Sequence, residues 1–184
     1  MTILNDDQIT QLAMTGAIEP FEPSLVRAVN EQPVISYGLG SFAYDMRLGY
    51  RFKWPHRGRL DPKNAGRAVW CETVCYDAFW IQPGQMVLAE SIETWHIPDD
   101  VYVMVVGKST YARCGLIVNV TPMEPGWRGR LTIEISNTSS LPACVYPGEG
   151  IAAAIFFRGE RPLVTYADRA GKYQDQAGVT TAQM

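Results

Sequence analysis

Long apolar runs are missing from this chain: stretches such as the VYVMVVG of residues 101–107 fall far short of the roughly 20 residues that cross a bilayer. No membrane partner is therefore expected. The opening MTILNDDQ has no charged-then-apolar layout of a secretory signal, so a cytoplasmic protein is the expectation. Cysteine is scarce. The four present (Cys71, Cys75, Cys114 and Cys144) are too few and too irregularly spaced for a disulfide scaffold, which points to reduced thiols in a reducing compartment. Positive charge is in deficit as well: 16 Lys and Arg against 19 Asp and Glu leave a formal net charge of −3, so no broad attraction to nucleic acid is expected. Any anionic ligand has to be held by a local cluster of cations. Internal repeats, linkers and low-complexity tracts are also missing. With 47% hydrophobic and 19% charged residues the chain is neither disordered nor fibrous, and 184 residues suit one domain with one sizeable core, 1–184.

The clearest helix lies near the start. In LNDDQITQLAMTGAIEPF, Asn5 or Asp6 can cap, the acids sit where the helix dipole favours them, Ile9, Leu12 and Ala13 form one apolar face, and Gly16 stops the helix. A second short helix is predicted from Ser24 to Asn30. Beyond residue 33, Gly and Pro recur at short intervals between β-branched and aromatic runs. YDMRLGYRF, VLAESIETWHIP, VYVMVVG, GLIVNVTP, GRLTIEISN, ACVYPGEG and IAAAIFF read as strands, and no βαβ alternation supports a parallel sheet. The fold class is mainly β, a sandwich or barrel with short N-terminal helices. The polar tail from about residue 166 is expected to be a mobile arm.

Two constellations carry chemistry. The first is GKSTYAR at 107–113, which contains the Gly-Lys-Ser that closes a P-loop. A P-loop needs a glycine five positions upstream; that position is Tyr102, inside a strand-like run, so the reading fails. If the segment leaves the strand as a helical turn, Ser109 and Arg113 share a face flanked by Lys108 and Thr110, offering a cation, hydroxyl donors and a forked guanidinium to one anion. The bland alternative for the same residues is a solvated surface turn. The second constellation is RGRLTIEISN at 128–137, where alternation sets Leu131, Ile133 and Ile135 against Thr132, Glu134 and Ser136. Facing solvent, Glu134 is an ordinary cross-strand charge. Facing a pocket, it is a carboxylate on a rigid element, as a general base requires. In the tail, Tyr166, Lys172 and Gln176 could fold over a ligand or stand solvated.

GKSTYARCGLIVNVTPMEPGW, followed by LTIEISNT, LPACVYPGEGIA and YADRAGKYQDQAG, resembles the deoxycytidine triphosphate (dCTP) deaminases, members of the trimeric dUTPase superfamily. LNDDQI, GAIEPF and YDMRLGYRF match too, so the resemblance covers most of the chain in order. It implies a distorted, jelly-roll-like β-barrel, a homotrimer with sites between subunits, dCTP as substrate, magnesium on the triphosphate and dTTP as a candidate feedback inhibitor. It further implies that Glu134 is the catalytic carboxylate, with Ser109 and Arg113 beside the reacting base. Lys108, Ser109, Thr110 and Arg113 would hold nucleotide and phosphates. Thr132 and Ile133 would line the base pocket, Glu124 would sit near sugar and base, and Tyr166, Lys172 and Gln176 would cover the triphosphate. The chain departs from the family in a loop about two residues shorter between Thr121 and Glu124, and in Ala153 where other members carry a phosphate-holding Gln.

The residue inventory agrees with a zinc-independent reaction. Zinc deaminases of nucleobases use an H-x-E and a P-C-x-x-C. Here the two histidines stand in PHRG (His56) and WHIP (His96), and neither pattern is present. Cys71 and Cys75 have no second ligand pair and read as ordinary thiols, and His96 as a strand-end packing residue. Without a metal, water must be activated by a carboxylate, which assigns Glu134 the proton transfers at cytosine C4. The rival from the same resemblance is a dUTP diphosphatase or a bifunctional enzyme; a non-catalytic nucleotide-binding barrel is the third reading.

Overall fold

Asn5 caps α1 (Asp6–Met14) through a reciprocal pair of bonds: its side chain accepts from the Gln8 N–H while the Gln8 side chain accepts from the Asn5 N–H. Ile9, Leu12 and Ala13 are the buried stripe of this helix, and Gly16 at φ +85° turns the chain away. The structure, a computed structural model, describes residues 1–183 apart from the side chain of Ala65; the last residue of the expected domain lies outside the described residues.

Around α1 the chain is a succession of strands. They are β1 (Thr2–Ile3), β2 (Ile18–Glu19), β3 (Val26–Val29), β4 (Gln32–Leu39), β5 (Tyr44–Gly58), β6 (Ala68–Val74), β7 (Phe79–Ile81) and β8 (Met86–His96). After β9 (Val101–Gly107) comes the single-turn α2 (Ser109–Ala112), then β10 (Leu116–Asn119), β11 (Arg128–Asn137), β12 (Ala143–Val145) and β13 (Gly150–Arg158). The large sheet runs β1-β13-β5-β8-β11-β10, with β9 on β13 and β6 on β5, while β7 and β12 form a separate ribbon. Its pairings are antiparallel and the sheet curls into a half-barrel, as the alternating strand texture predicts. One apolar core fills the inside, with Trp95, Tyr44, Phe52 and Phe156 fully buried at its centre. Each such side chain contributes about 1.5–3 kcal/mol by leaving water.

Two expectations are corrected. The segment from Ser24 to Asn30 is not a helix: Val26–Val29 pairs with β4 across a two-residue turn in which Asn30 (φ 49°) and Glu31 (φ 65°) are both left-handed. That turn matches the twist of a tight hairpin, and the β-branched Val26 and Val29 suit a strand better than a helix. The strand expected to end near Phe52 instead continues to Gly58, running through Pro55. A register shift between Pro55 and Arg57 absorbs the missing donor, and the strand returns as β6.

Candidate active site

The ladder between β8 and β11 builds the floor of the site. Its register sets Thr132 opposite Glu90, Glu134 opposite Leu88 and Ser136 opposite Met86, so these side chains share one face of the sheet. Their neighbours Ile133, Ile135, Val87 and Ala89 point the other way and are fully buried in the core. Over the polar face lies a cavity of ≈ 650 Å³. Met86, Leu88, Thr132 and Glu134 line it from below, Trp70 and Leu60 from the β5–β6 hairpin, Tyr102 from β9, and Glu124 and Trp127 from the loop before β11.

The roof is the C-terminal segment, which lies along the start of β11. The Trp127 indole N–H donates to the Tyr173 carbonyl (2.9 Å), and the Arg130 N–H to the Gln176 carbonyl (2.8 Å). The Tyr173 N–H reaches the Tyr166 hydroxyl at 2.9 Å. The Thr132 hydroxyl bonds the Gln176 side chain at 2.9 Å and accepts from the Thr180 N–H at 3.1 Å. Tyr166, Lys172 and Gln176 consequently line the same cavity as Glu124, Thr132 and Glu134. Arg169 stacks over the Tyr166 ring at 5.1 Å and pairs with Glu124.

Glu134 is the electrostatic anomaly of this floor. Its Oε2 is buried and without a hydrogen-bond partner. Burial pushes its carboxyl up to about 7, offset only by its own backbone amide. Glu90, on the same face, is a contrast: burial raises it, but Arg130 and Arg51 pull it back.

The segment before β10 stands apart. After Gly107 the chain does turn once as a helix, with the Arg113 N–H bonded to the Ser109 carbonyl at 3.1 Å, yet none of Lys108, Ser109, Thr110 or Arg113 lines this cavity. Ser109, Thr110 and Arg113 are exposed. The Lys108 ammonium is held by Asp45 and by the Ser36 hydroxyl at 3.1 Å, which leaves one of its three donors for a ligand. The Ile133 side chain, expected in the base pocket, is fully buried on the core face because it alternates with Thr132 and Glu134. His96 ends β8 but is exposed rather than packed, since Trp95 and Ile97 on either side take the buried positions. All four cysteines are free, and among the described residues no three His, Cys, Asp or Glu side chains gather into a metal-binding group.

Several residues that build the cavity escaped the sequence reading. Trp70 and Leu60 come from a hairpin whose length was invisible behind Pro55. Met86 and Leu88 belong to a strand apolar on both faces, where alternation gives no signal. Glu90, a carboxylate inside that apolar run, was the available clue.

A dCTP deaminase-like family model matches residues 3–159. The chain is similar over its whole length to the dCTP deaminase of Acidobacterium capsulatum, 46% identical over 188 residues and covering 100% of both chains. It is likewise similar to the dCTP deaminase of Erythrobacter litoralis, 49% identical over 192 residues with 100% of both chains covered. In fold it resembles the 2'-deoxycytidine 5'-triphosphate deaminase of Agrobacterium tumefaciens, with a TM-score of 0.64 and 20% identity. That match covers 85% of this chain and 48% of the other.

Proposed function

The chain belongs to the dCTP deaminase-like family, and from that premise we propose that it hydrolyses dCTP to dUTP and ammonia with Glu134 as the proton carrier. The observation that carries the assignment to Glu134 is its lone buried carboxyl, uncompensated by any cation, on the floor of an aromatic-walled cavity. A carboxyl raised to about 7 can both take and return a proton near neutrality. In its ionised form it removes a proton from water as the oxygen bonds to C4 of the cytosine. It then delivers that proton to ring N3; the hydroxyl now on C4 passes its proton through the same carboxylate to the amino nitrogen, the C–N bond breaks, and ammonia leaves while the ring keeps the oxygen as a carbonyl. Thr132 beside it and Glu124 across the cavity suit contacts to ring and sugar, and the tail over the cavity excludes bulk water. The reaction as written needs no zinc, and the pattern of zinc ligands used by other nucleobase deaminases is not in the sequence.

The triphosphate brings about four negative charges, and most nearby cations are already spoken for. Arg128 pairs with Asp175, Arg130 with Glu90, and Lys108 with Asp45. Lys172 lines the cavity and, among the described residues, meets only the Gln183 carbonyl and the Tyr173 ring. The anion therefore needs Lys172, a magnesium ion carried with the nucleotide, and the exposed Ser109, Thr110 and Arg113 of another copy of the chain. Exposed Met104, Val106 and Ile117 on β9 and β10, flanking α2, supply apolar surface for such an assembly, read here as a homotrimer working in the cytoplasm. A cavity that accepts one pyrimidine deoxynucleoside triphosphate also admits dTTP as a competing ligand.

Incubating the protein with dCTP and magnesium, and assaying ammonia and pyrophosphate separately, tests the reading. Ammonia with no pyrophosphate supports it. Pyrophosphate from dUTP makes the chain a diphosphatase, and both products together make it bifunctional.

A further inference from the structure

We propose that Glu90 is a positioning residue: its buried carboxylate seats the C-terminal strap at Gly178, so that Lys172, Tyr173 and Gln176 stand over Glu134. The inference rests on the deaminase reading of that cavity. Glu90 sits opposite Thr132 on β11 and shares its face with Glu134, yet it takes no part in the chemistry assigned to the cavity. Its side chain is 3% exposed. Both neighbouring cations approach the same oxygen, Oε1, Arg130 at 3.4 Å and Arg51 at 3.9 Å. Oε2 is buried and completes no hydrogen bond.

What covers Oε2 is the strap. A β-carbon on Gly178 would lie 2.8 Å from it, closer than real β-carbons come, so an alanine here would have to displace either the Glu90 carboxyl or the strap. The next amide, that of Val179, turns its positive end toward the carboxylate. On either side of this contact the strap is tied to the residue facing Glu90: Thr132 bonds the Gln176 side chain before it and the Thr180 N–H after it. The Thr180 hydroxyl closes the turn onto the Gly178 carbonyl at 3.0 Å. Residues 176–180 thus straddle the Glu90–Thr132 pair.

The incomplete satisfaction of Oε2 explains why such a seat can open. With the strap down, the carboxylate gains the Val179 dipole and loses water; with the strap lifted, water solvates the freed oxygen. The two states are balanced more closely than a fully bonded latch would allow, and nucleotide can enter and leave.

The test uses the full chain with three variants: Gly178→Ala, Glu90→Ala and both together. Strap seating is read by trypsin cleavage after Lys172 under native conditions, and function by kcat and KM for dCTP. Gly178→Ala is expected to speed cleavage and raise KM by about 5- to 30-fold, the equivalent of a strap contact of one or two kcal/mol, with kcat changed less and the thermal midpoint of the core unmoved. Glu90→Ala does the same, and because it vacates the space Gly178 faces, adding Gly178→Ala to it has no further effect. Additive effects, or wild-type cleavage and KM in Gly178→Ala, overturn the proposal. If Glu90→Ala does not fold, Gly178→Ala decides alone, because residue 178 is outside the core. If wild-type protein releases no ammonia from dCTP the deaminase reading fails, and the cleavage rates still decide the seating.

Discussion

Burying the Glu134 carboxyl works against the fold and for the reaction. Its folded value near 7 stands above the 4.5 of a free carboxyl, so the folded chain binds that proton more tightly than the unfolded one. This contribution to stability is fully present below 4.5 and is lost as pH rises through about 7. Glu134→Gln removes the burden, and its thermal midpoint at pH 8 should exceed wild type by about 2–6 °C, with the difference vanishing at pH 4. Calorimetry at the two pH values checks this; equal midpoints at pH 8 would mean the carboxyl is solvated. Under the proposed mechanism the same ionisation gates turnover, so the acid limb of kcat/KM should be displaced upward from 4.5 toward 7. The alternation Leu131-Thr132-Ile133-Glu134-Ile135 was enough to place Glu134 on the less apolar face. It could not say that the face was covered, because the Trp70 wall and the tail roof come from residues more than thirty positions away. The expectation for Ile133 meets the same alternation: the side chain of this residue, next to Glu134 in sequence, points into the opposite side of the sheet.

Among the elements, those with local signals were legible: the Asn5 cap of α1 and the limits of β9 and β11, while the turn of helix after Gly107 was one of two open alternatives. Elements fixed by long-range pairing were not. β3 looked like a helix because its four residues carry no alternation, and it exists because Asn30 and Glu31 accept left-handed conformations that fold it onto β4. β4 matters to the phosphate side as well, since Ser36 helps hold the Lys108 ammonium. The first residue of β13 presses against this strand: a β-carbon on Gly150 would sit 1.9 Å from the Ser36 carbonyl oxygen. Gly150→Ala should therefore cost about 1–3 kcal/mol. It should lower the urea midpoint without changing the slope. A midpoint equal to wild type would show that β4 is free to move away.

For the whole molecule, the decisive observation is the separation of the two clusters proposed to form one site. Glu134, Thr132, Glu124 and Lys172 meet around one cavity, whereas Ser109, Thr110 and Arg113 stand exposed elsewhere on the same chain. The sequence offers both clusters as candidates, and the family resemblance implies that they join across subunits; nothing in the spacing alone says that they must come from different copies. Glu134→Gln and Arg113→Ala should each be inactive alone, and co-assembly of the two chains should restore part of the activity by forming sites with both native residues. No recovery on mixing would mean each chain completes its own site. The central claim, that Glu134 moves the protons, is tested most directly by ammonia release and dCTP binding measured side by side on Glu134→Gln. Turnover should fall roughly 10²–10⁴-fold or more while the dissociation constant for dCTP stays within about threefold of wild type. Undiminished ammonia release, or binding lost together with turnover, would contradict it.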